Sequence, residues 1–102
     1  MTLSINTADK SLIEVSLKKD DQIIDSITDN NPFGSQVLLP AIVKLLDDNQ
    51  MTYQDLGEIE VHPGPGSFTG LRVGASIAQA LSFALNIPVN GQIGKAVELR
   101  YT

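Results

Sequence analysis

Cysteine is missing from this chain, and with it disulfides, thiolate nucleophiles and zinc–thiolate sites. Tryptophan is missing too. Three Phe and two Tyr are the only aromatics, so the core has to be aliphatic, built from Ile, Leu and Val. Basic residues are scarce: seven Lys and Arg stand against twelve Asp and Glu, for a net charge of −5, and the bases never cluster beyond Lys18-Lys19. A chain of this kind lacks the cationic face that phosphate backbones require, which argues against direct nucleic-acid binding. The single histidine, His62, has no second His or Cys to complete a metal site and is read as a loop-facing or surface residue. No basic n-region with an apolar h-region opens the chain, and no apolar run approaches the length of a membrane span. The expectation is a cytoplasmic protein with no membrane partner. There is no internal repeat, linker or low-complexity segment.

What is present suits one small domain: 102 residues, of which 42% are hydrophobic and 19% charged. Two short runs alternate with period two, Leu3-Ile5-Thr7 sharing one face of the first and Ile13-Val15-Leu17 one face of the second. Ala8-Asp9-Lys10-Ser11 turns between them and Asp20-Asp21 closes the second. A third run, Gln22 to Thr28, carries Ile23, Ile24 and Ile27, and the three together predict an antiparallel meander. Asp29-Asn30-Asn31-Pro32 breaks the pattern.

From Ser35, a candidate N-cap, to Asn49 the positions Val37, Leu38, Ala41, Ile42, Leu45 and Leu46 form a helical face, with Leu39 and Val43 on a second side. Pro40 sits inside this helix and removes one backbone hydrogen bond. Thr52 to Asp55 fits a capping box leading into a single helical turn. Glu58 to Val61 is a short strand, Phe68 to Asn86 a long helix apolar on two sides, and Ile87-Pro88-Val89 a last parallel-type strand ended by Asn90-Gly91. Val97, Leu99 and Tyr101 alternate with Glu98 and Arg100 in the tail, which predicts an extra edge strand. The order βββαβαβ is that of an α/β, ribonuclease-H-like domain, the half-unit of the actin and sugar-kinase type of fold. Its mixed sheet is expected in the order 3-2-1-4-5.

The run Gly64-Pro65-Gly66-Ser67-Phe68-Thr69-Gly70-Leu71-Arg72-Val73-Gly74 holds four glycines in eleven residues, between a strand and a helix. Two uses are open. Gly64, Gly66, Ser67, Thr69 and Gly70 would cradle an anion on the amides at the helix start. Alternatively, Gly64 and Gly66 make the turn, while Gly70 and Gly74, four apart on one helical face, let a second helix approach. The spacing is neither a Walker A loop nor a dinucleotide fingerprint. Ser67 is no nucleophile elbow and is better read as an N-cap. Asp9 is read as a turn residue rather than a metal contact, and Arg72 as the partner of an acid across an interface or of an anion. No catalytic residue and no metal ligand set emerges.

This eleven-residue loop, with Leu38-Leu39-Pro40, Leu45-Leu46, Asp55-Leu56 and Ile87-Pro88-Val89, resembles the bacterial TsaB family, also called YeaZ. The resemblance covers most of the chain. It implies the N-terminal half of an ASKHA-type protein and a non-catalytic subunit in making threonylcarbamoyladenosine in tRNA. It implies a TsaD-type catalytic paralogue as partner, a TsaE-type ATPase joining the complex, tRNA contacted only through it, and a homodimer in isolation. It implies no cofactor in this chain alone, ATP and magnesium belonging to the catalytic partner. The family pairs through its two N-terminal helices, so the implied interface is Leu38, Leu39, Ile42 and Leu45 with Gly70, Leu71, Gly74, Ile77, Ala78 and Leu81. Gly74→Leu, or a charge at Ile77, is then expected to abolish association and leave the monomer folded. Three departures are visible. The family's acid in the first strand is Asn6 here, the paired metal-binding histidines of the catalytic paralogue are missing, and the usual second domain is absent, so residues 1–102 are read as a single, minimal ASKHA-like domain.

Overall fold

A computed structural model describes residues 1–9, 11–30 and 34–101. Strands β1 (Thr2–Asn6), β2 (Leu12–Lys19) and β3 (Gln22–Asn30) lead into helix α1 (Gly34–Asp48). Strand β4 (Glu58–Val61) and helix α2 (Phe68–Leu85) follow. The first three strands form the expected meander: β1 pairs antiparallel with β2 and β2 with β3, while β4 joins β1 in parallel, giving the order β3-β2-β1-β4. Asp20 and Asp21 both have positive φ, the two-residue turn that matches strand twist, and a register shift lies just before it, between Leu17 and Lys18. β3 runs two residues beyond the expected end, taking in Asp29 and Asn30. Lys10, Asn31 and Pro32, expected in the turn and the break, lie outside the described residues.

Register decides which face is buried. Leu3 pairs with Leu17 and Ile59, and Ile5 with Val15 and Val61, so the alternating aliphatics of three strands converge on one side. Both helices cover that side, and Leu38, Ile42, Leu45 and Ala78 join the strand residues in one core. Each such side chain withdrawn from water contributes roughly 1.5–3 kcal/mol. The opposite face is polar: Ser4, Ser16 and Ser26 line up across β1, β2 and β3. There Lys18 Nζ reaches Glu60 Oε2 at 3.0 Å.

Helix α1 continues through Pro40. It begins at Gly34, so Ser35 lies inside the first turn, its side chain outside the described residues. After α1, Thr52 and Asp55 close the expected capping box on the 3-10 turn Tyr53–Asp55.

Two expectations about the C-terminal third change. The fifth strand shrinks to one bridge, Ile59 to Val89, because Pro88 has no N–H to donate and the chain reverses at once through Asn90-Gly91. The tail from Ala96 to Tyr101 forms no strand. The β4 edge is already occupied, so the tail crosses the Gly-rich loop instead, held by Arg100 N–H donating to the Pro63 carbonyl at 2.7 Å. By length and composition α2 also overturns one expectation: its 18 residues, at a mean hydropathy of 1.2, would suffice to cross a membrane. Here its small-residue side packs on the sheet.

Candidate functional site

The Gly-rich loop is built onto the end of β1. Ser67 N–H donates to the Ala8 carbonyl at 2.7 Å, and Gly66 lies so close that a β-carbon would stand 2.5 Å from the same oxygen. Ser67 is the N-cap of α2, its Oγ accepting from Gly70 N–H at 3.2 Å. Gly64 has φ of 110°, a conformation only glycine enters freely, and its N–H donates to His62 Nδ1 at 3.1 Å. His62 is exposed, as expected. The amides of Gly64, Ser67 and Gly70, three residues of the candidate anion cradle, are thus engaged with protein acceptors, and Thr69 is exposed on the first turn.

Gly70 and Gly74 have a different neighbour from the one expected. Thr7, 1% exposed at the end of β1, inserts between them. Its Oγ1 donates to the Gly70 carbonyl at 2.5 Å. A β-carbon at Gly70 would overlap the Thr7 carbonyl oxygen, and one at Gly74 the Thr7 hydroxyl. The glycine pair therefore seats α2 on its own sheet, leaving no notch for an outside helix. Gly74→Leu would accordingly disturb the fold itself. Leu38, Ile42, Leu45, Leu71 and Ala78 are likewise 0% exposed and belong to the chain's own core. Of the implied interface residues, Leu39 is 44% exposed, and Gly70, Ile77 and Leu81 are half-buried.

The solvent-facing surface of α2 lies on its other side. Phe68, Arg72, Ser76, Ala80, Phe83 and Ala84 are exposed along it, with Val73 and Ile77 half-buried beside them. Phe68 is 58% and Phe83 91% exposed. An open groove of about 420 Å³ runs along the first turns, lined by Phe68, Thr69, Arg72, Val73, Ser76 and Ile77. Arg72 lies over the Phe68 ring at 5.4 Å, while Tyr101 packs on Phe68 with 4.7 Å between ring centroids. On α1, Leu39 and Val43 are the exposed aliphatics. Sequence reading placed Phe68 at the helix start and Phe83 within the apolar set, but helical periodicity alone could not say which apolar side faced outward.

Titratable chemistry is sparse. Among the described residues, no group of three or more His, Asp and Glu could hold a metal. Asp9 makes the turn it was read for, its Oδ1 accepting from Ser11 N–H at 2.9 Å. Asn6, where the family carries an acid, accepts from Ala8 N–H through Oδ1 at 3.1 Å. The Tyr53 phenol is raised by burial and secondarily by the charge of Asp47.

Comparison with known proteins agrees with this architecture. A family model described as TsaD, tRNA N6-adenosine threonylcarbamoyltransferase, matches residues 34–91. The tRNA threonylcarbamoyladenosine biosynthesis protein TsaB of Bacillus subtilis is 39% identical over 88 residues, 86% of this chain and 38% of that protein. TsaB of Buchnera aphidicola from Schizaphis graminum is 37% identical over 91 residues, 87% of this chain and 42% of that protein. Among solved structures, YeaZ from Pseudomonas aeruginosa superimposes with a TM-score of 0.79 at 32% identity, over 86% of this chain and 42% of that one. The chain thus spans about two fifths of the length of these relatives. With more than half its residues inside the family model and the YeaZ fold under them, the chain belongs to the TsaD-type family, on its TsaB (YeaZ) branch.

Proposed function

We propose that this chain serves tRNA threonylcarbamoyladenosine biosynthesis as a non-catalytic docking subunit. Its surface for a TsaD-type catalytic subunit is the outer side of α2 with the adjoining Leu39 and Val43 of α1. One observation carries the proposal: the apolar helix α2 uses Leu71, Gly74, Ala75 and Ala78 internally and leaves Phe68, Phe83 and half of Val73 and Ile77 to solvent. Exposed apolar groups in a line of that kind fit a helix-on-helix contact. In this reading the chain pairs with itself when alone, a TsaE-type ATPase enters through the complex, and ATP and magnesium reside in the catalytic partner. tRNA is met only through that partner, in keeping with the net charge of −5.

Light scattering on a sizing column tests this, with the chain alone and then mixed with the TsaD-type subunit of the same genome. A defined complex is expected, lost in Phe83→Asp, a side chain 91% exposed, while the thermal midpoint of the isolated variant stays near that of the parent. A complex indifferent to Phe83→Asp would move the interface elsewhere. No complex at all, together with calorimetric heat from millimolar-range ATP, would put the Gly64–Gly70 loop forward as a nucleotide site instead.

A further inference from the structure

The Asn90-Gly91 pair does two things at once. It closes the hairpin in which Val89 and Gln92 exchange backbone hydrogen bonds at 2.9 and 3.0 Å, with positive φ at both turn residues. The Asn90 side chain also finishes the edge of the sheet. Its Oδ1 accepts from Val61 N–H at 2.9 Å and its Nδ2 donates to the Val61 carbonyl at 3.0 Å. One side-chain amide thus pairs with β4 where the next residue of a fifth strand would. Asn90 is exposed, and nothing lies within 4 Å of where a β-carbon on Gly91 would stand. Every other asparagine of the chain is followed by a residue that carries a side chain.

We propose that Asn90 is a site of spontaneous deamidation, with water as co-reactant, and that the modification unlatches residues 87–92 from β4. The Gly91 backbone nitrogen, losing its proton, bonds to Asn90 Cγ. The Cγ–Nδ2 bond breaks, and Nδ2 leaves as ammonia after taking up a proton. Water then opens the five-membered imide at either carbonyl, giving aspartate or isoaspartate, with no change of oxidation state. Glycine favours this closure because no β-carbon crowds the ring. The two bonds to Val61 restrain the amide, so reaction proceeds through local opening of a segment whose backbone holds β4 only at Ile59, which donates to the Pro88 carbonyl at 2.9 Å and accepts from Asn90 N–H at 2.8 Å. The product cannot restore the latch. Where Nδ2 donated to the Val61 carbonyl, an acceptor oxygen now faces an acceptor, and isoaspartate lengthens the main chain in the turn as well.

The test is to incubate the intact chain at mildly alkaline pH and follow amide-to-acid conversion by mass spectrometry with peptide mapping. Asn90 is expected to convert first, more slowly than in the urea-unfolded chain. The Asn90→Asp variant is expected to exchange the Val61 amide hydrogen about tenfold faster, and to melt roughly 4–8 °C lower. If that variant does not fold, the deamidated fraction separated by anion exchange takes its place. Earlier conversion of another asparagine would overturn the proposal, as would a modified protein whose Val61 amide exchanges at the parent rate.

Discussion

Helices α1 and α2 lie on the same sheet and are held there by opposite means. The 15-residue α1 presses large aliphatics into the core, with Leu38, Ile42 and Leu45 fully buried and Leu46 at 2%. The 18-residue α2 fully commits only Leu71, Gly74, Ala75 and Ala78, and gains its place by backbone approach, with Thr7 set into the gap left by two glycines. One helix is anchored by volume, the other by the absence of it. A helix docked through small residues keeps its large ones, Phe68 and Phe83, for another surface.

Removing volume from α1 should have the largest effect. Leu45→Ala should lower stability by about 2–5 kcal/mol in urea unfolding, since a fully buried side chain is lost and a cavity remains. Adding volume to α2 comes next. Gly74→Val should destabilise by roughly 1–3 kcal/mol, because its β-carbon meets the Thr7 hydroxyl. Ala80→Val, on the exposed side, should stay within about 0.5 kcal/mol. Equal effects from these two variants would break the contrast between the faces of α2. Thr7→Val keeps the shape and removes the donor to the Gly70 carbonyl, an expected loss of about 1 kcal/mol on the same assay.

The smallest effect tests the surroundings of the end of α1, where Tyr53 sits near Asp47. Its phenol is raised by burial first and by that charge second, so the folded chain keeps a proton that the unfolded chain gives up. This contribution is complete below the unfolded value of about 10 and is lost as pH rises through the folded one. Thermal midpoints measured across that alkaline interval should fall more steeply for the parent than for Tyr53→Phe.

Much of this fold was legible because period and burial coincide. Leu3-Ile5, Ile13-Val15-Leu17 and the α1 face appear in the sequence as they stand in the core. The failures share a cause: a local pattern does not name its neighbour. Gly70 and Gly74 present the same spacing whether the facing atom is on another helix or on Thr7. Val97, Leu99 and Tyr101 alternate with polar residues, and burial follows at Val97 and Leu99, yet no strand edge is within their reach. The loop's family signature was plain in the sequence, while the satisfaction of its amides by Ala8, Ser67 and His62 could be seen only in three dimensions.

Because Thr7 and Gly74 occupy one shared volume, neither position has a substitution table of its own. An alanine at position 74 becomes admissible only alongside a smaller residue at position 7, so the two changes should be strongly non-additive where changes at Gly74 and Phe83 should simply sum. Residues 67 apart in the chain are therefore expected to vary as a pair among descendants of this sequence.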